Sequence, residues 1–173
     1  MPDRYQGAED RDLSLVDPDN RRPVDFESLR AWLVDTSGWP EWLANWQNGR
    51  VKLQLIRSGL AAWQAHAGLF AAGDYDPITL AGPLAAHALA FMRRRGREQA
   101  LVVGTRLAAR LAESDRPILA PAQWRDTVLR VGHGDDSHWM DVLTSRPLDA
   151  RAGRLALAEV LEMLPVALLL RTR

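Results

Sequence analysis

Apolar residues change their spacing along the chain. Between Val24 and Thr36, the residues Phe26, Leu29 and Leu33 recur at intervals of three and four, the stripe of a helix with one buried side. Ser37-Gly38 suits the end of that helix. Pro40 is placed to open a second short helix, on which Trp39, Trp42 and Trp46 would share one side before Gly49 breaks the pattern. The longest helical signal runs from about Arg50 to Phe70, where Leu53, Ile56, Leu60, Trp63, Ala67 and Phe70 again step by three and four. Val51, Leu55 and Ala62 widen this stripe, so burial against two neighbours is expected, with Trp63 in the core.

Past Gly73 the runs shorten and turn residues separate them. Ile78-Thr79-Leu80 reads as a strand bounded by Pro77 and Gly82. Leu89 and Phe91 on one side, and Ala100 to Val103 on the other, flank the polar tip Arg94-Arg95-Gly96-Arg97 and predict a hairpin. Thr127 to Val131, Trp139 to Leu143 and Val166 to Leu170 are further strand candidates, with brief helical inserts at Leu107 to Leu111 and Ala158 to Met163. The fold class expected is α+β: a helical segment over residues 1–72, then an antiparallel, sandwich-like all-β domain over 73–173. Residues 1–23 lack a period, and Asp17-Pro18-Asp19-Asn20 is a turn signal.

Composition narrows the chemistry. The 173 residues contain no cysteine, which excludes disulfides, thiolate metal sites and cysteine nucleophiles. Basic and acidic residues balance at 22 each, so no general field favours nucleic acid or an anionic membrane. Lys52 is the only lysine among the basic residues, and with many alanines this fits the codon usage of a GC-rich bacterial genome. The polar start Met1-Pro2-Asp3-Arg4-Tyr5-Gln6 has no apolar signal core, and Leu164 to Leu170 is far shorter than a spanning helix. A cytoplasmic protein with no membrane or nucleic-acid partner is expected.

Phosphate-cradling glycine loops and the G-x-S-x-G elbow are absent from the sequence. His133-Gly134-Asp135-Asp136-Ser137-His138 gathers imidazoles and carboxylates, but its spacing matches no established zinc pattern and its composition is that of a solvated turn, so no metal is expected. Arg93-Arg94-Arg95-Gly96-Arg97 reads as a charged hairpin tip that discourages edge pairing rather than as a phosphate contact. Trp39, Trp42 and Trp46 are either a sugar-stacking platform or, as helix-spaced tryptophan more often is, core. Glu9 or a nearby aspartate has the chemistry of a general acid, and a structural role paired to Arg21 and Arg22 is equally economical.

Specific blocks add a resemblance. Pro2-Asp3-Arg4-Tyr5-Gln6-Gly7-Ala8-Glu9 and the run from Asp12 to Phe26, with Asp17-Pro18-Asp19-Asn20-Arg21-Arg22-Pro23 at its centre, resemble the maltooligosyl trehalose synthase family of the α-amylase clan, glycoside hydrolase family 13. Trp46-Gln47-Asn48-Gly49-Arg50-Val51-Lys52-Leu53 is similar to a family block in which Asp usually precedes the glycine. His66 to Phe70 resembles the clan's His-Pro-x-Leu-Phe, with Ala67 in place of the proline. Gly73-Asp74-Tyr75, Trp124 to Thr127, Trp139 to Thr144 and Leu164 to Leu169 fit the family's carboxy-terminal domain, with Ser145 where glycine is usual.

The resemblance covers essentially the whole chain but only the end of the enzyme, since a (β/α)8 barrel needs roughly 200 residues or more. It implies that residues 1–72 are the loop and helices closing that barrel and 73–173 the β domain behind it. Family members convert the reducing-end α-1,4 linkage of a maltooligosaccharide to α,α-1,1 by intramolecular transglucosylation, in trehalose biosynthesis, and no cofactor is implied. Such retaining chemistry needs two carboxylates about 5–5.5 Å apart. In the clan these lie on earlier barrel strands, so no catalytic residue is assigned here and the chain alone is expected to be non-catalytic.

As the eighth loop of the barrel's active face, residues 1–23 would offer Tyr5, Gln6, Asp17, Asp19, Asn20, Arg21 and Arg22 to the substrate. A fragment of this kind would orphan the barrel side of the helix from Leu53 to Phe70, exposing an apolar patch or driving self-association. The alternative is a stand-alone carbohydrate-binding or scaffolding module without enzymatic activity.

Overall fold

The computed structural model of the chain describes Glu9, Arg11 and residues 23–112, 117–132 and 134–172. The chain divides into two compact units, Met1–Leu60 and Ala61–Arg173.

The first unit is helical. Helix α1 spans Phe26–Leu33, where the periodicity placed it, and Asp25 caps it by accepting from the Ser28 amide at 3.0 Å and the Ser28 hydroxyl at 2.6 Å. Of its stripe only Leu29 is buried: Phe26 is 50% exposed, and Val34 just beyond the helix is 79% exposed. Helix α2 spans Trp39–Ala44, entered through Gly38 at φ 101° with proline in its first turn. A short 3-10 turn, Trp46–Asn48, ends at left-handed Gly49. Helix α3 then runs Arg50–Ala65 and crosses from the first unit into the second. Gln54 Nε2 and Arg57 Nη1 donate to the Trp32 and Leu33 carbonyls at 2.6 and 2.8 Å, satisfying groups that the end of α1 leaves open.

The helix expected from Arg50 to Phe70 is broken. After α3, His66 leaves helical geometry and α4 spans Ala67–Ala72. Ala67 is therefore the first residue of a new helix, the position proline suits best. The stripe is not enclosed either. Leu53 is buried, but Leu60 is 41% exposed and Trp63 only half-buried, so Trp63 is not the core residue the pattern predicts. An apolar face this wide is left partly open along the described residues.

Strands β1 (Asp74–Pro77), β3 (Ala88–Arg95), β4 (Glu98–Thr105), β6 (Ser137–Asp141), β7 (Arg146–Ala150) and β9 (Val166–Thr172) form one antiparallel sheet in the order β1-β3-β4-β9-β6-β7. Strands β2 (Leu80–Ala81), β5 (Val128–Arg130) and β8 (Arg154–Ala156) form a second, in the order β2-β5-β8. The predicted Ile78–Leu80 strand is where the chain changes sheet: the Ile78 amide donates to Ala90 O of the large sheet at 2.9 Å, while Thr79 O accepts from Arg130 N of the small one at 3.1 Å. The arginine hairpin forms as expected, with Arg95 paired to Glu98 across Gly96-Arg97. The inserts appear as a 3-10 turn, Ala108–Arg110, and as helix α5, Leu157–Val160.

Strict alternation puts Ala88, Ala90 and Met92 of β3 inward, and Ala167 and Leu169 of β9. These side chains meet Leu129 and Leu155 of the small sheet, with Trp124 and Trp139, in one continuous core. The two-sheet antiparallel arrangement expected after Gly73 is thus present. Helix α4 packs against β3 and β4: Arg93 Nη2 donates to Phe70 O at 2.9 Å, His66 Nδ1 lies 3.1 Å from Glu98 Oε1, and a side chain at Gly68 would collide with the Arg95 guanidinium.

Candidate functional site

All seven residues assigned to substrate, Tyr5, Gln6, Asp17, Asp19, Asn20, Arg21 and Arg22, lie outside the described residues, as does His133. Of the segment that holds the seven, Glu9 and Arg11 are described. The Arg11 guanidinium sits 4.0 Å from the centroid of the Trp46 ring, a cation–π distance. Arg11 is therefore in contact with the tryptophan cluster.

That cluster is built around Asp35, just after α1. Its carboxylate accepts from the Ser37 amide at 3.0 Å, the Ser37 hydroxyl at 2.5 Å, Trp42 Nε1 at 2.9 Å and Arg50 Nη1 at 3.1 Å. The Ser37 hydroxyl first, then the Ser37 amide, the Trp42 indole and the Arg50 charge hold its pKa down at about 2, against a small opposing effect of burial. One carboxylate thus joins the end of α1, the middle of α2 and the start of α3. Trp39 packs edge-on against Trp42 at 5.2 Å and is only 9% exposed. Trp39 is core, Trp42 spends its indole N–H on Asp35, and Trp46 has Arg11 over its ring, so the trio does not form a shared open platform. Asn48, the departure from the family's Asp, accepts the Arg50 amide at 3.0 Å at the start of α3. It keeps the acceptor and gives up only the charge that a helix N-terminus favours.

Several of the other candidates have partners within the protein. In the loop before β6, Asp136 Oδ1 accepts the Ala152 amide at 2.8 Å and Asp135 O the Gly153 amide at 3.1 Å, while His138 Nδ1 lies 2.7 Å from Asp149 Oδ1. Among the described residues no three His, Asp or Glu side chains gather as a metal site would require. Arg94 is bonded to Asp76 at 2.5 Å and Arg93 to Phe70 O, so those guanidiniums are committed to the protein. In the β6–β7 turn, buried Asp141 accepts from Leu143 N, Thr144 Oγ1 and Leu168 N; burial pushes its pKa up, overriding those hydrogen bonds. No helix among the described residues is long and apolar enough to cross a membrane.

No family model matches the chain. Two curated relatives from strains of Mycobacterium tuberculosis, each named as a maltooligosyl trehalose synthase, are 36% identical to it over 171 residues, covering 99% of this chain and 19% of theirs. A solved mutant structure of maltooligosyltrehalose synthase from Arthrobacter ramosus matches at 36% identity with a TM-score of 0.70, covering 97% of this chain and 20% of that one. The chain spans about a fifth of the length of these relatives. Over nearly all of its own length it is similar to a carboxy-terminal portion of maltooligosyl trehalose synthase.

Proposed function

We propose that these 173 residues are the carboxy-terminal part of a maltooligosyl trehalose synthase acting in cytoplasmic trehalose biosynthesis. The complete enzyme would convert the reducing-end α-1,4 linkage of a maltooligosaccharide to α,α-1,1 by intramolecular transglucosylation. Residues 1–72 are the last loop and helices of its glycoside hydrolase family 13 barrel, and 73–173 the β domain behind it. The observation that carries this reading is the match itself, 36% identity sustained over 97% of the chain and only 20% of the solved enzyme.

In this reading Tyr5, Gln6, Asp17, Asp19, Asn20, Arg21 and Arg22 contact the sugar. The catalytic carboxylates belong to barrel strands that these residues do not include, so the 173-residue chain alone binds but does not rearrange. The half-open stripe of α3 and the exposed Phe26, Leu33 and Val34 of the first unit support a part that needs more protein around it over a self-sufficient module. Incubation of the purified chain with maltoheptaose tests the assignment: reducing ends should persist, and enzyme-dependent loss of them would overturn it. Sedimentation should show self-association, whereas a clean monomer favours the stand-alone module.

A further inference from the structure

Outside the segment considered so far, the β domain carries a cavity of about 200 Å³ lined by Val128, Asp149, Arg151, Arg154, Ala156 and Glu159. Its geometry is set by the turn joining β7 to β8. Arg151 and Arg154 are directly opposed, exchanging both backbone hydrogen bonds at 2.9 and 3.0 Å, so their side chains leave the same face of the hairpin. The residues between them, Ala152 and Gly153, both have positive φ (48° and 68°), as a tight type I′ turn requires. The turn is clamped from behind: Asp136 Oδ1 and Asp135 O accept its two amides, and Gly153 O accepts from Val131 N at 2.9 Å. A Cβ on Gly153 would sit 2.8 Å from Gly132 O, so the loop leaves no slack.

Two arginine side chains therefore leave one face of the hairpin from directly opposed positions, both exposed, a placement that destabilises a hairpin when nothing sits between the charges. Neither they nor the Glu159 carboxylate make a hydrogen bond or ion pair with another described residue, and Asp149 keeps one oxygen beyond its contact with His138. The wall thus combines groups that only donate, the arginines, with groups that only accept, the carboxylates. An oxyanion would satisfy the first and be repelled by the second, and a cation the reverse. A neutral molecule whose adjacent atoms each donate and accept satisfies both. Vicinal hydroxyls of a sugar ring do this, each hydroxyl accepting from a guanidinium and donating to a carboxylate, above the small apolar floor of Val128 and Ala156.

We propose that this cavity is a carbohydrate site that holds one hexose unit between the Arg151–Arg154 pair and the carboxylates of Asp149 and Glu159. The site is argued from these residues alone. Only the choice of an α-glucan as probe rests on the proposed function.

The test is an amide and arginine Nε–H shift titration of the 173-residue chain with maltotriose, and in parallel with inorganic phosphate. Saturable shifts centred on residues 149–159 are expected with maltotriose, with a Kd on the order of millimolar for so small and open a site. Arg154→Ala should weaken binding about tenfold or more, as loss of a hydrogen bond from a charged group does. Glu159→Gln, which leaves the hairpin untouched, should weaken it as well, and Arg97→Ala at the other hairpin should not. Absence of saturable shifts, shifts with phosphate alone, or binding by both cavity variants as tight as by the unsubstituted chain would overturn the proposal. Failure here leaves the maltoheptaose result standing, and shifts confined to residues 5–22 would support the loop while refuting this cavity.

Discussion

Replacing Ser145 by glycine should stabilise the protein. Ser145 closes the four-residue connection between β6 and β7, just before the terminal register pair Asp141–Arg146, and its φ is 58°. That value is imposed on it. Asp141 pins the loop from inside by accepting from Leu143 N at 3.1 Å, Thr144 Oγ1 at 2.5 Å and Leu168 N at 3.3 Å, and the chain enters β7 through left-handed Ser145. Holding an L residue there costs about 1–2 kcal/mol. Glycine adopts it freely but forfeits about 0.5–1 kcal/mol through its greater freedom when unfolded. The Ser145 side chain is exposed and makes no hydrogen bond with another described residue, so nothing else is lost. Taking the middle of both ranges, the net gain is about 0.75 kcal/mol, or a rise in Tm of roughly 1.5–3 °C for a chain of this length. Thermal and urea unfolding, followed by near-ultraviolet circular dichroism, would measure it. Ser145→Ala, which retains the Cβ, should change Tm little. The reasoning fails if glycine gives no gain, or if alanine gives the same one.

Acid should act oppositely on the two units. Asp35, held at about 2 against an ordinary 3.8, contributes stability that is present above pH 3.8 and lost as pH falls toward 2. Asp141, pushed up from 3.8 by burial, contributes in the opposite sense, fully below 3.8 and lost as pH rises through its raised value. Hydrogen-exchange protection between pH 5 and 2.5 should therefore fall first in α1 and α2, and Asp35→Asn should lessen that acid sensitivity, the remainder in α1 resting on Asp25, whose pKa the Ser28 hydroxyl and amide also lower; earlier loss in β6 and β9 would contradict it. Gly153→Ala should cost about 2 kcal/mol or more by combining a positive φ with a Cβ 2.8 Å from Gly132 O, and an unchanged Tm would show that the loop behind the turn yields.

Much of the fold was legible because local pattern and tertiary burial agree. The inward alternation of β3 and β9 and the arginine hairpin formed as the pattern predicts, and the α1 stripe gave its helix although it buries only Leu29. What escaped lacked a periodic signal. Strand β1 is Asp-Tyr-Asp-Pro and β7 is Arg-Pro-Leu-Asp-Ala. Both lie at the edges of the large sheet, where one side of the backbone needs no partner and proline is tolerated. Such strands are recruited by the sheet rather than by their own propensity. The break at His66 was equally silent to periodicity, because a stripe with steps of three and four continues through it. The resemblance held the missing signal, since the family's proline stands at the residue where α4 begins.

The departures from the family pattern carry the clearer lesson about the site. Asn48 and Ala67 each sit where the structure still does what the family residue does, capping the start of α3 and opening α4, and Ser145 occupies a backbone angle that glycine would hold without strain. These are positions of folding, and they explain why resemblance reads the scaffold well. The opposed arginines of the β7–β8 turn had no such signal. Arg-Ala-Gly-Arg lacks the asparagine or aspartate that advertises a tight turn, and nothing in its spacing says that Glu159 and Asp149 face it. The Asp135-Asp136 pair reads as turn composition, and in the structure the Asp136 carboxylate and the Asp135 carbonyl accept the amides of the β7–β8 turn. That carboxylate and that carbonyl hold the turn backbone in place, and the side chains left over to meet a ligand are those the hairpin register brings together.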